Sequence, residues 1–147
     1  MSVSPADISG ALCTTTADPF IAPQAANLVL LIDDDEFVAD IVERILLRVG
    51  KRVLRARNGR EGAQLFKAHQ LNLAVIMLDC GLPDISGVSL CRTFRQTAPD
   101  LPVILTSGFE LGADGERVLH GPTVFLAKPF FASQVEELVA ELCLAAK

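Results

Sequence analysis

At 147 residues the chain fits one domain with a sizeable core; half of it is apolar and its formal charge is −5. No apolar run approaches the roughly 18 residues a membrane helix needs, the start MSVSPADISG lacks the basic-then-apolar order of a secretory signal, and the acidic balance argues against direct binding to nucleic acid or an anionic membrane. Four cysteines, Cys13, Cys80, Cys91 and Cys143, form neither a CxxC pair nor a disulfide framework, so a reduced, cytoplasmic protein is expected.

Residues 1–26 are rich in Ser, Thr, Ala and Pro and carry no sustained periodicity, which predicts a flexible leader. Regular patterning begins at Leu28. Leu28–Ile32 is a short apolar strand that ends in Asp33-Asp34-Asp35. Val38, Ile41, Val42, Ile45 and Val49 then fall at helical spacing, and Gly50 closes that helix. The loosely alternating RVLRAR at 52–57 reads as a strand near an edge. Asn58 with Glu61 resembles a capped start to a helix through Ala63 and Phe66.

Leu73–Leu78 follows, six apolar residues without alternation, as in a strand buried on both faces of a parallel sheet. It stops at Asp79, and Gly81, Pro83 and Gly87 break the chain behind it. Val88, Cys91 and Phe94 mark a third helix that ends before Pro99. Pro102–Thr106 is another buried strand. The Gly-rich stretch 108–121 holds at most a short helix around residues 115–120, and Thr123–Ala127 is the last strand. Phe131, Val135, Leu138, Val139 and Leu142 form the stripe of a terminal helix, with Ser133 and Glu136 spaced as a capping box. Five strands alternating with five helices predict a doubly wound α/β domain over residues 27–147 with a five-stranded parallel sheet.

In a parallel sheet the strand ends share one edge, and in open α/β sheets the chemistry sits there. Asp33, Asp34 and Asp35 end the first strand, Asp79 the third, and Thr106-Ser107 the fourth; the fifth runs into Lys128-Pro129. Clustered carboxylates repel when empty, and oxygen-only ligands suit Mg²⁺. Lys128 offers a point charge and Thr106 a hydroxyl donor, so the set has the parts of phosphoryl transfer around a carboxylate nucleophile.

With those residues assembled, the sequence resembles the receiver domain of two-component response regulators, the chemotaxis-regulator-like family. LLIDDDE, IMLDCGLPDISG, VILTSG and FLAKPF occur in family order from about Asn27 to Lys147. The resemblance implies a flavodoxin-like strand order 2-1-3-4-5 and a set of roles. Asp79 is the phosphoacceptor. Asp33 and Asp34 bind Mg²⁺, with Mn²⁺ as a substitute, and the backbone carbonyl of Gly81 completes the ligands. Thr106 and Lys128 contact the phosphoryl oxygens. Phe125 stands at the aromatic switch position, where core packing is an equal reading. The Lys128–Pro129 bond is expected to be cis.

Other residues have plainer readings. Asp35 is expected to cap the first helix rather than bind metal. His69 and His120 are read as surface residues, Cys80 as an inert thiol, and Cys143 as core or interface. Gly81 and Gly108, two residues beyond Asp79 and Thr106, leave bare two positions where the family often carries larger side chains that tune hydrolysis.

The implied function is a phosphorylation switch. A sensor histidine kinase or histidine phosphotransfer protein supplies the phosphoryl group, and a downstream protein target, or a homodimer, reads the altered surface. The chain is then a phosphoacceptor, not an enzyme with turnover. Three alternatives stay open: the C-terminal receiver of a hybrid sensor kinase, an aspartyl-phosphate Mg²⁺-dependent phosphohydrolase, and an interaction module that needs no phosphorylation. The phosphohydrolase signature wants a second Asp where Gly81 stands.

Overall fold

The computed structural model describes residues 27–110, 112 and 122–145. The predicted leader, the short helix expected around 115–120, Cys13 and His120 lie outside them. The described chain runs β1 (Leu28–Ile32), α1 (Glu36–Arg48), β2 (Arg52–Ala56), α2 (Gly59–His69), a single 3₁₀ turn at Gln70–Asn72, β3 (Leu73–Asp79), α3 (Gly87–Thr97), β4 (Val103–Ser107), β5 (Thr123–Ala127) and α4 (Ala132–Ala145). All strand pairs are parallel and their order is β2-β1-β3-β4-β5, the flavodoxin-like arrangement expected.

The two faces of the sheet explain the unbroken apolar runs. Side chains of successive strand residues point to opposite faces. Leu28, Leu30, Ile32, Ile76, Leu78, Val103 and Leu105 pack on one face against Phe66 of α2 and Leu90, Cys91 and Phe94 of α3. Val29, Leu31, Val75, Met77 and Ile104 pack on the other against Ala39, Val42, Ile45 and Leu46 of α1 and Val135 and Val139 of α4. Every residue of β1, β3 and β4 is therefore buried, whereas edge strand β2 is half-exposed at most positions. Phe66 and Phe94 stack with centroids 4.4 Å apart; removing a ring so buried costs about 3–5 kcal/mol.

Helix ends are held by side chains. Asp35 Oδ1 accepts from the Phe37 and Val38 N–H groups, at 3.0 and 3.2 Å, and so caps α1 as expected. Asn58 Oδ1 accepts from Glu61 N–H at 2.8 Å, while Glu61 reaches back to Arg57 N–H at 2.7 Å. Gly50 adopts φ +85°, the left-handed conformation that ends α1 without a Cβ penalty.

Three expectations are corrected. The terminal helix starts at Ala132, so Ser133 lies inside its first turn; the Phe131 N–H donates to Gln134 Oε1 at 2.7 Å, and Glu136 pairs with Arg48 at 3.1 Å. Phe131 precedes the helix and is exposed, and Phe130 packs against the core in its stead. In α1 the buried stripe is Ala39, Val42, Ile45 and Leu46, which leaves Ile41 and Val49 exposed. Strand ends also shift slightly: β2 stops at Ala56, and β4 spans Val103–Ser107.

Candidate functional site

Four strand ends converge at the carboxyl edge of the sheet. Register pairs Asp79 directly with Thr106 across β3 and β4. Cys80 N–H then donates to the Thr106 carbonyl at 2.8 Å, and Lys128 N–H to the Ser107 carbonyl at 2.8 Å, so the ladder continues past the strands and fixes all three side chains. On the other side Asp33 N–H donates to the Ala56 carbonyl at 3.0 Å, which holds the start of the acidic run against β2.

The carboxylates of Asp33, Asp34 and Asp79 present oxygens that all lie within 4.8 Å of one another. Asp33 and Asp79 are buried and Asp34 is exposed, so the cluster is open on one side. Lys128 Nζ lies 3.2 Å from Asp33 Oδ2 and 3.4 Å from Asp79 Oδ1. Asp33 Oδ1 also accepts from Asp35 N–H at 2.9 Å. Thr106 is buried beside Asp79, and the Lys128–Pro129 peptide is cis as expected. Gly81 lies exposed in the bend after Asp79, between the backbone-bonded Cys80 and the buried Leu82. Phe125 on β5 is half-buried and packs against the cluster formed with α2 and α3. Asp35 belongs to the helix cap, outside the cluster.

The electrostatics follow from crowding. Burial pushes the Asp33 carboxyl above its ordinary value, and the nearby Asp79 charge adds to that, while the Asp35 N–H and Lys128 pull the other way. For Lys128 burial works against the charge, yet Asp33 and Asp79 together outweigh it and raise the ammonium's pKa. The Cys80 thiol is pushed up to about 11 by burial and by Asp79. Three carboxylates facing one ammonium leave two negative charges unbalanced when all are ionised. A donor set made only of hard oxygens, open to solvent at Asp34, fits Mg²⁺.

The sequence reading missed Asp84. Its carboxylate accepts from Gly59 N–H at 2.8 Å and from Arg60 N–H at 2.9 Å, at the start of α2. Within LPDISG it reads as a turn residue, and no local signal points to a partner 25 positions upstream. Ser86, which caps α3 by accepting from Ser89 N–H at 3.1 Å, was also missed.

Fold and site together define a phosphoacceptor-type receiver module, and comparison with known proteins agrees. The response regulator receiver domain family matches residues 29–141, and the chain belongs to that family. It is 30% identical over 119 residues to the uncharacterized transcriptional regulatory protein YrkP of Bacillus subtilis, covering 80% of this chain and 50% of that protein. It is 33% identical over 115 residues to the cell cycle transcriptional regulator CtrA of Caulobacter vibrioides, covering 78% of this chain and 48% of that one. The chain thus spans about half the length of these curated relatives. Among solved structures, a CheY-like receiver domain from Methanospirillum hungatei superposes with TM-score 0.74 at 23% identity, covering 83% of this chain and 97% of that one. The receiver domain of a histidine kinase from Syntrophus aciditrophicus superposes with TM-score 0.73 at 26% identity, covering 83% and 93%.

Receiver domains accept a phosphoryl group rather than turn over a substrate, bind Mg²⁺ at an acidic pocket, and work with histidine kinases and downstream effectors. The curated relatives are named as bacterial regulatory proteins. Among the described residues no helix is long and apolar enough to cross a membrane.

Proposed function

We propose that this chain is a phosphorylation switch in which Asp79 takes a phosphoryl group from the phosphohistidine of a sensor kinase or phosphotransfer protein. The observation that carries the reading is the convergence of Asp79, Asp33, Asp34 and Lys128 within one group of contacts. One Asp79 oxygen attacks the phosphorus in line, a P–O bond forms as the P–N bond breaks, and the imidazole leaves with the electron pair. Lys128, already within reach of both buried carboxylates, turns its donors to a phosphoryl oxygen as the Asp79 charge passes to the acyl phosphate. The Thr106 hydroxyl, on the residue paired with Asp79 across the two strands, donates to another.

Asp33, Asp34, Asp79 and the Gly81 carbonyl are the groups that would hold Mg²⁺ (or Mn²⁺). When bound, the ion offsets charge on the phosphoryl oxygens. Thr106, drawn toward the phosphoryl group, and Phe125 on the neighbouring strand form the switch pair, and the bias they give to a two-state surface is what a downstream protein reads.

A groove of about 500 Å³ lined by Val38, Ile41, Gly108, Lys128, Pro129 and Phe130 opens beside the lysine. An apolar helix face presenting phosphohistidine from a histidine phosphotransfer or kinase domain suits it, because the donor must come within bonding distance of Asp79. Neither nucleic acid nor a membrane is needed as a direct partner, and the site acts in the cytoplasm. Asp79→Asn is expected to abolish phosphoryl uptake from a small acyl phosphate while circular dichroism and the unfolding midpoint show an intact fold. Retention of label by that variant sinks the assignment. Steady turnover of phosphate esters by the wild type would instead favour the phosphohydrolase.

A further inference from the structure

The loop 80–86 between β3 and α3 leaves Asp79 and carries Gly81, the carbonyl ligand proposed above. We infer that Asp84 is a positioning residue for that ligand, fastening the tip of the loop to the N-terminus of α2; the inference rests on the phosphoacceptor reading. The Asp84 carboxylate spans two N–H groups, Gly59 at 2.8 Å through Oδ1 and Arg60 at 2.9 Å through Oδ2. Those N–H groups open a helix and have no partner within it, and a carboxylate there also faces the positive end of the helix dipole.

The backbone around the clamp is built for close approach. Gly59 lies against Ile85, whose Cγ2 occupies the place a Cβ on Gly59 would take. Gly87 backs onto the Asp79 carbonyl, where a side chain would collide with main chain. Both stems of the loop are fixed by backbone hydrogen bonds, Cys80 N–H to Thr106 at 2.8 Å and Gly87 N–H to the Cys80 carbonyl at 3.0 Å. Leu82 is buried in the core. Among the described residues the tip at Asp84 has no such backbone tie to α2, and its hydrogen bonds to that helix run through the Asp84 side chain. Gly81 sits between stem and tip, exposed and with no side chain of its own to anchor it. The direction of its carbonyl is therefore set by its neighbours, and Asp84 supplies the restraint from the distal side. Outer groups of this kind commonly govern metal affinity by orienting the ligands.

The test separates positioning from helix capping. Asn58 caps the same helix through Glu61 N–H at 2.8 Å and, among the described residues, its side chain makes no hydrogen bond to the loop. In the full chain, Asp84→Ala and Asn58→Ala are both expected to lower the thermal midpoint. In a Mg²⁺ titration followed by amide NMR shifts, Asp84→Ala weakens binding about tenfold, while Asn58→Ala stays within about twofold of wild type. Asp84→Asn, which keeps one acceptor oxygen, falls between them and serves if the alanine variant does not fold. An Asp84→Ala affinity equal to wild type overturns the inference, as does an Asn58→Ala loss of the same size. A wild-type chain that binds no Mg²⁺ overturns the metal-site reading and the inference with it, so the two failures are distinct.

Discussion

Lys128 bridges two carboxylates that arrive from different strands, with Nζ 3.2 Å from Asp33 Oδ2 and 3.4 Å from Asp79 Oδ1. Both acids are buried, and the ammonium is about a quarter exposed. Removing it leaves two close negative charges with their nearest cation gone, and this costs more than loss of a surface pair. Lys128→Gln is expected to lower unfolding free energy by about 1–2 kcal/mol at neutral pH, a figure already reduced for partial exposure. Mg²⁺ should restore more stability to this variant than it adds to the wild type, because the ion binds the native cluster and relieves a larger repulsion. Urea unfolding with and without Mg²⁺ reads both effects. A variant as stable as wild type in metal-free buffer contradicts the argument.

Arg95 does structural work on the opposite side of the sheet from α1. Its guanidinium is half-buried, donating to the Ala98, Pro99 and Leu101 carbonyls and, through Nε at 3.0 Å, to the buried Thr123 hydroxyl. Burial lowers its pKa, but guanidinium stays protonated, and its charge is held by the three carbonyls and the Thr123 hydroxyl. It thereby ties the end of α3 and the approach to β4 onto the start of β5. Arg95→Met should destabilise the fold by about 2 kcal/mol, since the buried Thr123 hydroxyl and the partly buried Leu101 carbonyl lose this donor. Arg95→Lys should recover less than half of that, because an ammonium does not reproduce the planar fork. Chemical denaturation of the two variants measures both.

The Asp84 clamp carries a pH signature. The Gly59 and Arg60 N–H bonds hold its carboxyl below the ordinary value of 3.8. A depressed folded-state pKa means the stabilisation is complete above the unfolded value and is lost as pH falls through the folded one. The midpoint gap between wild type and Asp84→Asn should therefore be constant from pH 7 to about pH 5, begin to narrow near the unfolded value and shrink progressively below it. Thermal melts carried down through the acid range decide it, and a gap that does not shrink at all as pH falls well below 3.8 rules the clamp out as a charged interaction.

Legibility in the sequence tracked how local the determining physics is. Asp33, Asp79, Thr106 and Lys128 could be found because each ends an apolar run, and a parallel sheet aligns such ends at one rim. The Asp35 cap and the Asn58–Glu61 pair involve partners within a few residues, and both were found. The phase of the helical stripes was harder. Phe130 and Phe131 are adjacent, and which of them turns inward depends on where α4 begins; a one-residue shift rotates a helix face by about 100°. The same slip misplaced Ile41 and Val49 in α1. The Asp84 contact was illegible because it joins segments 25 residues apart through a side chain that looks like a turn former.

The bare glycines at the mouth of the site yield the last prediction. Among the described residues, adjacent ones aside, no atom lies within 4 Å of where a Cβ on Gly81 or Gly108 would stand, so a Cβ at either meets nothing. Gly81→Leu/Gly108→Leu should thus keep its unfolding free energy within about 1 kcal/mol of wild type, as exposed substitutions do. On the proposed reading, the acyl phosphate on Asp79 would decay as water reaches phosphorus from the open side of the pocket. Two apolar side chains there would crowd that approach without supplying a group to activate water. The double variant should therefore hold its phosphoryl group several-fold longer, about 1 kcal/mol in barrier height. Following loss of label from purified phosphoprotein gives the rate directly. Faster decay would show that the flanking positions do not shield the phosphorus and that water arrives by another route.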